Sequence, residues 1–238
     1  MAFKQFQLED QLITVYKRKG SRSLRLSVTH NGQIRVTIPA WAPYHAGLEF
    51  VKSRSQWLAN QKPTVGFLAH GQAIGKAHHL KFIAIFNLAK PTTRVTAGEI
   101  IVNYASTEEI TSQVVQAAAQ KACIRALRGQ AEALLPQRLK FLAAQHGFTY
   151  KSVGVKQLKS RWGSCDQEKN IVLNLFLMQL PWDCIDYVLL HELAHTNVLR
   201  HGPDFWAELE SVLPTAKIMR KTIRSYQPTL TLGSIEQT

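Results

Sequence analysis

Val188-Leu189-Leu190-His191-Glu192-Leu193-Ala194-His195 is the stretch on which the reading of this chain turns. It spells H-E-x-x-H inside an apolar run of helical character. Histidines four residues apart lie on one helix face, with Cβ atoms about 5–6 Å apart. Both imidazoles can then reach one zinc ion, and Glu192 stands beside them as a candidate general base. Pro181 suits the first turn of this helix. The pattern predicts a helix from about Trp182 to Asn197.

A catalytic zinc site needs three protein ligands and one open position. His201 is the favoured third ligand. On a continuous helix it would be rotated far from the other two. The helix is therefore expected to stop after His195, with Asn197 supplying the turn and Gly202-Pro203 breaking the backbone just beyond. Glu208, in a short helix predicted over Asp204–Val212, is the alternative ligand. Zinc lowers the pKa of a water molecule, and Glu192 would take its proton as it attacks a carbonyl. A group that stabilises the oxyanion or contacts substrate is also expected. Arg161, Tyr187 and Tyr226 are the candidates. His30, His45, His70 and His146 lack such a context. His78 and His79 are adjacent on a predicted strand, point to opposite faces and make a poor chelate.

Working outward, Ser106-Thr107-Glu108-Glu109 reads as a helix start. An alanine-rich helix follows to about Gln145, which Pro136 should kink or split, and His146-Gly147 closes it. Phe148–Leu158 is β-like, Arg161–Asp166 a tight loop and Asn170–Leu177 a second strand. A last helix is expected over Thr215–Tyr226.

Strands dominate before residue 105. Leu12–Tyr16 is one; Leu24, Leu26 and Val28, then Ile34, Val36 and Ile38, alternate with polar residues. Asn31-Gly32 between them is a hairpin signal. One face of that hairpin is apolar. The other carries Arg25 and Arg35, which can meet phosphates or keep an edge strand soluble. A helix is predicted from Tyr44 to Gln61, ended by Pro63. Strands are expected at Phe67–Gly71, His79–Phe86, Thr93–Thr96 and Ile100–Tyr104. The fold class is α+β. The expected domains are a basic β-rich part over 1–105 and a metal-binding part over 106–238.

The net charge of +13 is uneven: residues 1–105 hold 14 Lys and Arg against 4 Asp and Glu, and residues 106–238 hold 15 against 12. Such a bias suits nucleic acid or another polyanion, or simply a solvated surface. No run approaches the ~18–20 apolar residues of a membrane span. The first residues lack the apolar core of a signal peptide, so a cytoplasmic setting is expected. Three cysteines without C-x-x-C spacing support neither a disulfide framework nor a cysteine zinc knuckle.

Arg161-Trp162-Gly163-Ser164-Cys165, Asn170–Asn174, His191-Glu192-Leu193-Ala194-His195 and His201-x-x-x-Phe205-Trp206 together resemble the YgjP-like zinc metallopeptidases. These are relatives of the SprT-like and WLM proteases in the broad gluzincin-like group. The matching motifs span about residues 155–210. The resemblance implies a minimal zincin domain with a long helix, a short sheet and the H-E-x-x-H helix. It implies His191, His195 and His201 as Zn2+ ligands and Glu192 as base. It also implies a strand near the cleft, expected at Asn170–Phe176, against which a peptide could pair. Arg200 and Gly202 stand where many relatives have Asn and Ser, which is closer to the SprT-like form. Val198 replaces the glycine of the metzincin pattern.

Three functions fit. The first is a zinc peptidase acting on peptides or proteins. The second is a nucleic-acid-associated protease, brought to proteins on DNA or RNA by the basic N-terminal part. The third is a zinc-binding structural module without turnover.

Overall fold

The computed structural model describes residues 3–8, 11–28, 34–55, 58 and 66–232. Two compact units emerge, one within residues 1–66 and the other over Phe67–Gly233.

The first unit holds β1 (Phe3–Leu8), β2 (Gln11–Arg18), β3 (Arg25–Val28), β4 (Ile34–Pro39) and α1 (Tyr44–Lys52). The sheet order is β1-β2-β4-β3. Period-two alternation places Ile13, Val15, Ile34, Val36 and Ile38 on one face, where they are buried with Val51 of α1. A Cβ on Gly47 would lie 2.9 Å from Val15 Cγ1, so the glycine lets α1 close on β2. The expected β3–β4 pairing is present, with Leu26 opposite Val36 and Val28 opposite Ile34. Its Asn31-Gly32 turn lies outside the described residues, as do His30, Trp57 and Pro63. The helix expected to Gln61 ends at Lys52 in α1, and most of its remainder lies outside the described residues.

The second unit begins with β5 (Ala73–Ile74), β6 (His78–Ile85), β7 (Thr92–Val95) and β8 (Glu99–Ala105), in the order β5-β6-β8-β7. This repeats the plan of the first sheet. The first strand runs antiparallel to the second, the second parallel to the fourth, and the third antiparallel to the fourth. Gly20 and Asn87, each just beyond the second strand of its sheet, both have positive φ. Leu80, Phe82, Ile100 and Val102 form the buried face.

Here the succeeding helix is α2 (Gln113–His146), 34 residues long. Its small residues Ala119, Ala122 and Ala126 and its Leu127, Leu135 and Leu139 share one core with that sheet. The boundary expected near residue 105 therefore falls inside the second unit. The change from strands to helix marks a sheet meeting its own cover, and the division lies between residues 66 and 67. Other expectations change too. α2 runs unbroken through Pro136. It starts at Gln113, because residues 106–111 form turns in which Thr111 donates to Glu109. At Phe67–Gly71 only an isolated bridge at Phe67 forms.

A third sheet comprises β9 (Ser152–Lys156), β10 (Gly163–Cys165) and β11 (Asn170–Asn174), ordered β10-β11-β9. The chain then makes a 3-10 turn and three helices, α3 (Trp182–Ala194), α4 (Pro203–Val212) and α5 (Ala216–Ile223). The α+β class stands. Among the described residues no helix is long and apolar enough to cross a membrane.

Candidate metal centre

Helix α3 is apolar almost all round. Ile185, Leu189 and Leu193 are fully buried, which fixes the helix in the core and sets where His191 and His195 point. It stops where the spacing of His201 required. Thr196 Oγ1 donates to the carbonyl of Leu193 at 2.7 Å, and the Val198 amide donates to Ala194 O at 2.9 Å. The chain then turns, and His201 returns on the loop before α4. Asn197 does not end the helix in a left-handed conformation; among described non-glycine residues only Asn87 and Lys169 have positive φ. Its side chain instead donates to Glu208 Oε1 at 2.7 Å. Glu208 is thereby turned elsewhere and is not part of the histidine cluster.

The three histidines converge through one kind of atom. His201 Nε2 lies 3.0 Å from His191 Nε2 and 3.2 Å from His195 Nε2. All three ligand atoms lie within 4.8 Å of one another. Tetrahedral bonds of about 2.0–2.1 Å to zinc would set neighbouring nitrogens about 3.3 Å apart. His195 Nδ1 faces the carbonyl of Val198 at 3.1 Å, and donating there leaves its Nε2 lone pair for the cluster. Phe205, fully buried, lies against all three rings with centroids 4.9, 4.5 and 4.8 Å from those of His191, His195 and His201. Trp206 stacks on His201, and Arg220 lies 4.6 Å over Trp206.

Burial, with the neighbouring histidines and Arg220, pushes His191 down to about 3, and burial lowers His195 as well. Neutral imidazoles carry the free lone pairs that metal binding needs. Three imidazole nitrogens facing one point without an acid among them fit a cation.

Glu192 is 5% exposed, and its Oε2 has no hydrogen-bond partner among the described residues. Burial pushes its carboxyl up to about 8, against the opposing pull of Arg161. The strand β10 passes directly over it. A Cβ on Gly163 would sit 2.6 Å from Glu192 Oε1 and 2.8 Å from its Cγ, so only glycine leaves the carboxylate its place.

A cleft of about 450 Å³ opens on these groups, lined also by Arg161, Trp162, Cys165, Tyr187 and Ile223. Tyr187 is buried, its ring 5.8 Å from that of His191, and burial raises its phenol pKa. Tyr226 is 38% exposed and does not line the cleft, so of the three candidate contacts only Arg161 and Tyr187 are brought to the site. The strand expected beside the substrate is displaced by one. β11 has both edges occupied, by β9 and β10, and the sheet presents β10 to the cleft.

Two residues were missed in the sequence reading. Gly163 is one. Asn174 is the other: fully buried, it donates to the carbonyls of Leu158 and Arg161 at 2.9 Å and accepts from the Phe176 amide. It ties the Arg161 loop to β11. A polar residue inside an apolar strand was the available signal.

The sequence model of a family described as "YgjP-like, metallopeptidase domain" matches residues 22–226. Among solved structures the chain is similar to the metallopeptidase zymogen of Pyrococcus abyssi abylysin, with 24% identity and a TM-score of 0.36 over 41% of this chain and 100% of that one. It is also similar to the zymogen of Methanocaldococcus jannaschii jannalysin, with 18% identity and a TM-score of 0.35 over 38% of this chain and 94% of that one. No curated protein matches the chain.

Proposed function

The chain belongs to the YgjP-like metallopeptidase family, and from that premise we propose a zinc-dependent peptidase held by His191, His195 and His201, with Glu192 as its general base. The observation that carries this reading is the convergence of three Nε2 atoms beside a buried, unpartnered carboxylate. Zinc bound there supplies Lewis acidity, polarising a carbonyl and making water acidic at neutral pH.

The chain's own residues do the rest. An extended peptide adds as a strand to β10, which brings its carbonyl over Glu192. Glu192 takes one proton from the attacking water as the oxygen bonds to the carbonyl carbon. It then gives that proton to the leaving amine as the C–N bond breaks. Arg161 keeps the ionised form of Glu192 within reach against its burial. Tyr187 and Arg161 line the cleft where an oxyanion or substrate group would lie. Glu192→Gln should abolish cleavage of an unfolded protein while zinc content stays at one per chain. Undiminished cleavage by this variant overturns the mechanism.

A second reading draws on the charge. Among the described residues of the first unit the only acid is Glu49, against nine Lys and Arg. Such a unit suits a polyanion, so the peptidase would act on proteins held on nucleic acid.

A further inference from the structure

The register of the first sheet sorts its side chains into two sets. Ile13, Val15, Ile34, Val36 and Ile38 face α1. The opposite face receives Phe3 from β1, Tyr16 and Arg18 from β2, Arg35 from β4 and Arg25 from β3, because Phe3 pairs with Tyr16, Tyr16 with Thr37, and Thr37 with Arg25. Phe3 is 55% exposed, and its ring lies 5.7 Å from that of Tyr16. The Arg35 guanidinium lies 5.9 Å from the Tyr16 ring centre. Beside these, Arg18, Lys19, Arg25, Ser23, Ser27 and Thr37 line an open cleft of about 550 Å³. No described carboxylate pairs with any of these cations; the single described acid of this unit, Glu49, sits on α1 paired with Lys52.

We infer that this open sheet face binds single-stranded nucleic acid, with Arg18, Arg25 and Arg35 on phosphates and Phe3 and Tyr16 stacking unpaired bases. This deepens the second reading above and rests on it for its setting, whereas the binding itself needs neither zinc nor peptidase activity. Three strand spacings of about 4.8 Å separate Arg25 from Phe3. A strand of nucleic acid crossing the sheet therefore meets cations at one side and ring faces at the other. A cationic track with exposed aromatic rings is what sequence-tolerant single-strand binders use. A duplex hides the faces of its bases, so the rings would gain nothing from it.

The second sheet supplies the internal control. It has the same strand order, yet at the places of Tyr16, Arg18, Arg25 and Arg35 it carries Ile83, Ile85, Thr92 and Ile101. Its Lys81 is paired with Glu99. The strand order therefore does not require arginines or stacked rings on that face.

The test is fluorescence anisotropy of the full chain with a labelled dT20 strand, against its duplex form and against anionic phosphatidylserine vesicles. The expected result is single-strand binding that weakens with salt and exceeds duplex and vesicle binding. The triple variant R18Q/R25Q/R35Q should weaken it at least tenfold and lower the salt slope by about 0.7 for each lost contact, so about two in all. Phe3→Ala should weaken it about tenfold with the salt slope unchanged, since base stacking carries no counterion term. Arg94→Gln on the second sheet should change nothing. Binding that survives the triple variant overturns this face while leaving the nucleic-acid reading intact. Absent binding to every nucleic acid overturns both, and preference for vesicles or duplex overturns the single-strand platform.

Discussion

The two four-stranded sheets are built alike and covered differently. In each, an apolar face of Ile, Val, Leu or Phe packs on the helix that follows the fourth strand. The first sheet is followed by α1, nine residues long, and its other face is left cationic and aromatic. The second is followed by α2, 34 residues long, which goes on to pack with the β9–β11 sheet and α3 and so underlies the histidine site. Under the two proposals above, one sheet plan serves two ends. Changes in the second unit should then act on hydrolysis, and changes on the first sheet should leave hydrolysis of a free peptide alone.

The largest effect should separate the two most cleanly. Loss of the Glu192 carboxylate in Glu192→Gln should lower kcat by about 10³ or more, at the upper part of the usual range for general-base removal. The variant R18Q/R25Q/R35Q should cleave a short free peptide at the wild-type rate. A peptidase that loses activity with those arginines would break the separation.

Next in size is a pH effect confined to the second unit. Burial pushes Glu192 up to about 8 in the folded chain, whereas unfolded it ionises near its ordinary 4.5. Between those values the folded state keeps a proton that the unfolded state gives up, so stability falls as pH rises. His191 runs the other way. Held down to about 3 by burial, against an ordinary 6.5, it makes stability fall as pH drops through that window. The chelator-treated protein should therefore be most stable between about pH 4.5 and 6.5. Its Tm should fall by several degrees from pH 6.5 to 8, and Glu192→Gln should remove that fall. A flat profile in the wild type would mean that Glu192 is hydrated, not buried.

A smaller loss should follow from Gly163→Ala. Its new Cβ would press on Glu192 Oε1, and kcat should fall about 30-fold while zinc content is kept. Wild-type kcat in this variant would show that β10 and Glu192 move independently.

The difference between legible and illegible features follows the range of the interactions. His191, Glu192 and His195 could be read because helix geometry sets their relation within four residues. His201 is favoured as third ligand over Glu208, and that choice requires the helix to stop before it, since no continuous helix could present it. Gly163 and Asn174 act across the fold, on Glu192 and on the Arg161 loop, and nothing near them in the chain names those partners. A sheet and its covering helix look like a change of domain when only texture is read, whereas here they share one core. Pro136 was expected to kink or split the helix, and the helix is not split there. A proline inside a helix costs about 3 kcal/mol or more, whereas burying leucines such as Leu135 and Leu139 returns about 1.5–3 kcal/mol each.

The smallest expected difference compares two glycines, one at each sheet-to-helix contact. Gly75 has φ +67, and a Cβ there would meet Gln130 Oε1 and come within 2.8 Å of Leu127 Cδ2 on α2. Gln130 also accepts from the Lys76 amide and donates to the carbonyl of Ile74, so it cannot withdraw without losing both bonds. Gly75→Ala should therefore cost about 2–3 kcal/mol, from backbone strain and overpacking together. Gly47 lies within α1 and has no such strain. Its new methyl group would press on Val15, but alanine also gains helix propensity of about 1 kcal/mol. The net loss from Gly47→Ala should be about 1 kcal/mol. Hydrogen exchange resolves the two sites, through the amides of α1 for one and of α2 for the other. Equal losses would show that the first sheet is held as tightly to its short helix as the second is to its long one. The peptidase unit would then have no special claim on rigidity. A larger loss at Gly75 would tie that rigidity to α2, the helix that underlies the histidine site.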